Sequence, residues 1–262
     1  MDFIKMHGLG NDFIIIDQFA RQTVDDPAAL AKKLCSRGFS VGADGLVLVL
    51  PSENADARMR IFNPDGSEPE MCGNAIRCVA RFLYESGHRP ITHMSIDTLA
   101  GIMTINIRLE NGRFSAASVD MGVPECTGEH PIPVGAVNAR FTAVSTGNPH
   151  AVTWDIFPDD DTFRRYGPMI ERHPLFPAGT NVEFVSMENR THARVRVWER
   201  GAGPTLACGT GATASFFALV RAGLMDSHAV MTLPGGDLEF EYLENGHVIM
   251  TGPAEVSYRG SI

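Results

Sequence analysis

Cys72 in Met71-Cys72-Gly73-Asn74 and Cys208 in Ala207-Cys208-Gly209-Thr210 each open a stretch that ends on a glycine fifteen residues later, Gly87 and Gly223. This spacing predicts two helices that begin at a thiol and stop at a glycine able to take the left-handed cap. The second runs from Ala212 to Val220 without a charge, so it must be buried on nearly every side. A helix N-terminus carries unpaired N–H groups and the positive end of the dipole, which favour an anion and bring a thiol pKa from ~8.5 into the range of roughly 3.5–7.5. Two such thiols suit one task. The helix ends can hold a carboxylate, one thiolate can remove the proton from the adjacent carbon, and the other thiol can return a proton to the opposite face. The product is the mirror configuration at that carbon.

The elements that position the thiols come in pairs. Cys72 and Cys208 are 136 positions apart, and at the same spacing Arg60 falls on Arg196, Phe62 on Trp198, and Asn63 on Glu199. Gly10-Asn11 also matches Gly147-Asn148, Gly42 matches Gly179, and Leu109-Glu110-Asn111-Gly112 matches Leu243-Glu244-Asn245-Gly246. We read an internal duplication over almost the whole chain. It predicts two domains, residues 1–122 carrying Cys72 and 123–262 carrying Cys208, with the last few residues packing back on the first half. A pseudo-two-fold between them would bring the two cysteines to opposite sides of one cleft. Alternating segments predict β-rich halves with few helices, among them Pro27 to Arg37 and Phe163 to Arg172. Pro124 to Gly135, with Pro131 and Pro133, reads as the linker, and the last predicted strand ends at Thr251-Gly252-Pro253. Cys35, Cys78 and Cys126 fit structural roles.

Composition excludes several classes. The net charge of −9 comes with no basic stripe, which argues against nucleic acid. No apolar run approaches the ~20 residues of a membrane span, and the N-terminus lacks a signal-peptide core, so the expectation is a cytoplasmic protein with no membrane association. Five cysteines without framework spacing fit a reducing compartment. Neither CxxC nor HExxH occurs, so no metal is implied. Lys5, Lys32 and Lys33 are the only lysines, which argues against a pyridoxal phosphate Schiff base, and no other cofactor is called for. Gly8-Leu9-Gly10 has Phe13 where a dinucleotide fingerprint needs its third glycine.

The blocks KMHGLGNDF, FNPDGSEPEMCGN, TGNPH, GTNVEF, WERGAG, ACGTGA, LPGG and MTGPA closely resemble the diaminopimelate epimerase family, from one end of the chain to the other. The resemblance implies an α+β fold of two similar domains related by a pseudo-two-fold, each a β-rich sheet wrapped around a central buried helix. It implies a homodimer and a cofactor-independent isomerase that interconverts LL- and meso-diaminopimelate, in lysine and peptidoglycan synthesis. Carried over residue by residue, Cys72 is the proton donor, Cys208 the proton acceptor, and His150 and Glu199 adjust their pKa. Substrate contacts fall on Asn11, Asn63, Gly73, Asn74, Asn148, Asn181, Glu199, Arg200, Gly209 and Thr210. The backbone beside both cysteines holds the reacting end, while Asn63, Asn181 and Arg200 hold the distant one. A guanidinium fork suits that distal carboxylate.

The chain departs from the family at Gly45, where some members carry Gln, and at Pro204, where an acidic residue is expected. Either cysteine can be the base, according to direction. A sibling racemase of the same fold, for instance one acting on histidine, remains open, although it would not need Arg200. So does a thiol redox protein in which the cysteines join as a disulfide.

Overall fold

A computed structural model of the chain describes residues 1–135 and 137–262. In chain order the first half forms β1 (Asp2–Gly8), β2 (Asn11–Asp17), α1 (Pro27–Leu34), β3 (Gly45–Leu50), β4 (Ala57–Phe62) and α2 (Gly73–Glu85). β5 (His93–Thr98), β6 (Gly101–Glu110) and β7 (Arg113–Asp120) complete it. The second half contains β8 (Glu125–Val134), β9 (Val137–Ser145), β10 (Pro149–Thr153), α3 (Asp160–Glu171), β11 (Asn181–Asn189) and β12 (His192–Glu199). It continues with the short β13 (Gly203–Pro204), α4 (Gly209–Arg221), β14 (His228–Leu233), β15 (Gly236–Tyr242), β16 (Val248–Gly252) and β17 (Glu255–Ser261). The chain packs into two compact units, Met1–Asp120 with Thr251–Ile262, and Met121–Met250.

The two units repeat one pattern of strand pairing. β1–β2 is antiparallel, β2–β3 parallel, β3–β4 antiparallel, β4–β5 parallel and β5–β6 antiparallel. The series β9–β10, β10–β11, β11–β12, β12–β14 and β14–β15 runs in the same senses. A parallel pair needs a crossover, and each of the four helices sits in one. Two crossover helices begin on aspartate caps: Asp26 accepts from Ala29 N–H and Asp159 from Thr162 N–H. The cysteine helices end as their glycines predict, with Gly87 at φ 80° and Gly223 at φ 69°.

Burial explains why the cysteine helices are central. α2 packs on β1, β2, β4, β6 and β7, and α4 packs on β9, β10, β11, β12, β14 and β15. β3 is apolar throughout because both its faces are covered. Leu46 and Leu48 meet Ala31 and Leu34 of α1, and Val47 and Val49 are fully buried on the opposite face. In the second unit Phe141, Phe163, Phe184 and Trp198 form edge-to-face contacts within one core cluster.

Two expectations need correction. Most of the segment read as a linker is β8, paired antiparallel with β9 from Glu125 to Val134. Ile132 and Val134 are buried while Pro131 and Pro133 point outward, so the N–H groups the prolines lack all belong to one side of the strand. The chain also does not stop forming strands at Pro253, because β17 pairs antiparallel with β1. β17 exposes most of its residues and so lacks the apolar alternation that marks a strand. These two corrections are one fact, since β17 stands to β1 as β8 stands to β9. None of the described helices is long and apolar enough to cross a membrane.

Candidate active site

In the first unit Cys72 is the N-cap of α2, in extended conformation, and Gly73 is the first helical residue. Its Sγ donates to Asn11 Oδ1 at 3.8 Å, and Asn74 Nδ2 donates to the same oxygen at 3.1 Å. Asn11 reaches this position because Leu9 and Gly10 take φ of 56° and 85°, reversing the chain tightly between β1 and β2. Its amide nitrogen donates to Asp44 Oδ2 at 2.9 Å. Asp44 accepts from Arg37, which also bridges to Asp12, and Asp12 pairs with the buried Lys5. Burial opposes the charge on Asp12, but Arg37 and Lys5 hold its carboxyl below the usual range. Asn63 Nδ2 donates to Ser67 Oγ at 2.9 Å within its own turn. A side chain at Gly45 would be tight, since a Cβ there would lie 3.2 Å from Phe62 O and 3.3 Å from Phe13, which would have to give way slightly.

The second unit caps α4 with Cys208, whose Sγ accepts from Gly211 N–H at 3.4 Å and lies 3.5 Å from Thr210 Oγ1. Asn148 Nδ2 donates to Thr210 Oγ1 at 3.4 Å, and Asn148 Oδ1 lies 2.9 Å from His150 Nε2. The other ring nitrogen of His150 is 2.7 Å from Glu183 Oε1, and both side chains are fully buried. Glu199 ends β12 and accepts from Thr205 Oγ1 at 2.6 Å. Asn181 Nδ2 donates to Pro149 O, and its Oδ1 accepts from Arg200 N–H at 3.0 Å. Arg200 Nη1 donates to Ala178 O at 3.1 Å. This unit therefore gathers Asn148, His150, Cys208, Gly209 and Thr210 around one helix end, with Asn181 and Arg200 joined beside it.

The thiol of Cys208 departs from the expectation set by helix position alone. Burial pushes its pKa well up, and Glu199 and Glu183 push the same way, against the weaker help of Thr210 and Gly211 N–H. Desolvation outweighs the hydrogen bond from the helix-end N–H of Gly211 here. Cys78 and Cys35 are pushed by burial to about 12 and about 11, which keeps them protonated and fits their packing roles.

Sequence reading overlooked two buried charges. Glu183 interrupts the apolar strand β11, and its Oε2 is a buried oxygen with no hydrogen-bond partner among the described residues. Burial raises its pKa, with His150 acting in the opposite direction. A Cβ added at Gly211 would lie 2.7 Å from Glu183 Oε1 and 3.3 Å from Cys208 Sγ, so those two atoms are within about 6 Å of each other. Arg77 in α2 is the other, with 0% exposure. The signal for both was a charge at an inward position of a strand or helix.

A family model described as diaminopimelate epimerase matches residues 3–127 and 142–257. The diaminopimelate epimerase of Desulfitobacterium hafniense is 49% identical over 99% of this chain and 97% of its own length. That of Desulforudis audaxviator is 50% identical over 99% of this chain and 98% of its own. Among solved structures, a PhzF-family phenazine biosynthesis protein of Bacillus anthracis has a TM-score of 0.78 at 17% identity, covering 100% of this chain and 98% of that one. A hydroxyproline epimerase of Agrobacterium vitis has a TM-score of 0.74 at 18% identity, covering 100% and 90%. These two share the α+β fold of repeated halves. At 49–50% identity over 99% of its length, and with a family model on both halves, the chain belongs to the diaminopimelate epimerase family of isomerases.

Proposed function

We propose that this protein interconverts LL- and meso-diaminopimelate by two-thiol proton transfer at the α-carbon, without pyridoxal phosphate, as a step toward lysine and peptidoglycan. The observation that carries this is the repeated capping geometry: a cysteine at the N-cap of a central helix in each unit, with a Gly-Asn loop amide linked to it. Helix N–H groups, beginning at Gly73-Asn74 and Gly209-Thr210, are suited to hold the α-carboxylate and meet the negative charge that develops as the proton leaves. Each thiol serves as base in one direction and as acid in the other. Where Cys208 is the acceptor, its raised pKa requires a group to take its proton, a role we assign to Glu199 and His150. Asn63, Asn181 and Arg200 serve the distal amino-acid end. We further propose a cytoplasmic homodimer, to be checked by light scattering on purified protein.

Proton NMR of α-hydrogen exchange in heavy water, with reduced enzyme and no added cofactor, tests the activity. Exchange is expected with LL-diaminopimelate and not with L-histidine. Exchange with histidine alone overturns the substrate; silence on both overturns the epimerase reading and returns attention to thiol redox chemistry.

A further inference from the structure

We propose that Arg77 is a positioning residue for Cys72: it fixes the orientation of the Asn74 and Asn11 amides and supplies the buried positive charge that the thiolate form of Cys72 needs. This rests on the reading of Cys72 as a proton-transfer group. The guanidinium is fully buried and donates to three neutral oxygens, Pro253 O at 3.1 Å from Nε, Gly73 O at 3.0 Å from Nη1, and Asn74 Oδ1 at 2.8 Å from Nη2. No carboxylate among the described residues pairs with it. A buried charge without a counter-ion is costly, so its presence calls for a compensating role.

The duplication provides an internal control. Gly73 corresponds to Gly209 and Arg77 to Thr213, and Thr213 Oγ1 donates to Gly209 O at 2.8 Å. Both helices thus tie the same carbonyl from the residue four positions later. That tie does not need a charge, and only the Cys72 unit uses one.

Hydrogen-bond direction shows what else Arg77 does. A guanidinium only donates, so Asn74 turns its oxygen to Arg77 and its NH2 to Asn11. Asn11 must then offer its oxygen to Asn74 and Cys72 and its NH2 to the carboxylate of Asp44. Gly8 leaves the space for this arrangement, because a Cβ there would lie 2.9 Å from Arg77 Nη2 and 3.2 Å from Asn74 Cβ. The titratable groups that Arg77 faces are Cys72 and Cys78, and Cys78 is kept protonated by burial. Farther along α2, Arg81 pairs with Glu85 and Glu255, while Lys5, Asp12, Arg37 and Asp44 form their own network behind Asn11.

Iodoacetamide alkylation resolved by peptide mass spectrometry follows Cys72 and Cys208 separately as pH varies, and needs no substrate. In Arg77→Met the midpoint of Cys72 alkylation is expected to rise by at least about one pH unit, or roughly tenfold less thiolate below it, while Cys208 is unchanged. Arg77→Lys keeps the charge and should keep the wild-type midpoint. Loosened packing alone would speed alkylation without moving the midpoint. Arg77→Gln replaces the methionine variant if that one does not fold. An unmoved midpoint in the neutral variant overturns the proposal, whatever the exchange assay shows; absent exchange in wild-type protein overturns the functional reading and leaves the alkylation result standing.

Discussion

Around Cys72 the side chains run from a donor that cannot accept, Arg77, through the amides of Asn74 and Asn11 to the carboxylate of Asp44. Around Cys208 they run from Thr210 through the amide of Asn148 to His150, whose Nε2 donates to the Asn148 oxygen, and stop at the carboxyl of Glu183. The backbone is repeated, but the buried ionisable group differs: a guanidinium beside Cys72, and beside Cys208 a carboxyl whose pKa burial raises. Strand register locates one source of the difference. Leu46 pairs with Phe62 and Val182 with Trp198, so Glu183 occupies the place of Val47, and Asn181 that of Gly45. Across from Glu183 the helix carries Gly211, whose counterpart in α2 is Ala75. A duplicated scaffold therefore preserved its helix caps while the residues around them diverged toward a buried guanidinium near Cys72 and a buried carboxyl near Cys208.

The largest test of the comparison is catalytic. Removing either thiol, in Cys72→Ala or Cys208→Ala, is expected to lower α-hydrogen exchange by about 10²–10⁴-fold, the scale of a lost general acid or base. A large loss at one cysteine and none at the other would break the pairing of the two sites.

Gly211→Ala comes next. Its Cβ would fall 2.7 Å from Glu183 Oε1, and chemical denaturation should show a loss of about 1–3 kcal/mol from overpacking. Adding Glu183→Val gives both positions the residues of their counterparts, Val47 and Ala75, and should recover part of that loss, as contacting residues do in a double-mutant cycle. No recovery would mean that Glu183 is not the obstacle. The helix caps sharpen the comparison from the other side. Asp26→Ala and Asp159→Ala each remove a side-chain acceptor for an N–H three residues on and should cost a similar ~1 kcal/mol in thermal or chemical unfolding.

The smallest effects are opposite pH slopes. Asp12 has a lowered pKa, so the stability it contributes is present above the unfolded aspartate value of ~3.9 and is lost as pH falls through its folded value. Glu183 has a raised pKa, so its contribution is full below the unfolded glutamate value of ~4.3 and is lost as pH rises through its folded value. Denaturation curves at several pH values should show Glu183→Gln gaining on wild type as pH rises. They should show the deficit of Asp12→Asn shrinking as pH falls. Parallel pH profiles for the two variants would contradict the opposite directions of the two shifts.

Much of this organisation was legible in the chain. The duplication, the helices opening on Cys72 and Cys208, and the glycines ending them are matters of spacing, which local geometry turns directly into structure. The segment 124–135 was misread because Pro131 and Pro133 are strong breakers, while the burial of Ile132 and Val134 between them depends on pairing with β9. β17 was missed because its partner β1 is at the far end of the sequence.

The sequence by itself determined the repeated order of strands and helices, the two thiols at helix N-termini, and the family to which the chain belongs. The elements follow from periodicity and caps, which act within a few residues, and the family from the resemblance of the motif blocks and the identity to its members. The tertiary structure decided the environment of each thiol. Desolvation and charge pairing sum over neighbours that folding alone brings together: Arg77 beside Asn74 under a missing Cβ at Gly8, and Glu183 beside His150 under a missing Cβ at Gly211. Burial at Cys208 then overrides the depressed pKa that its place at the helix end predicts.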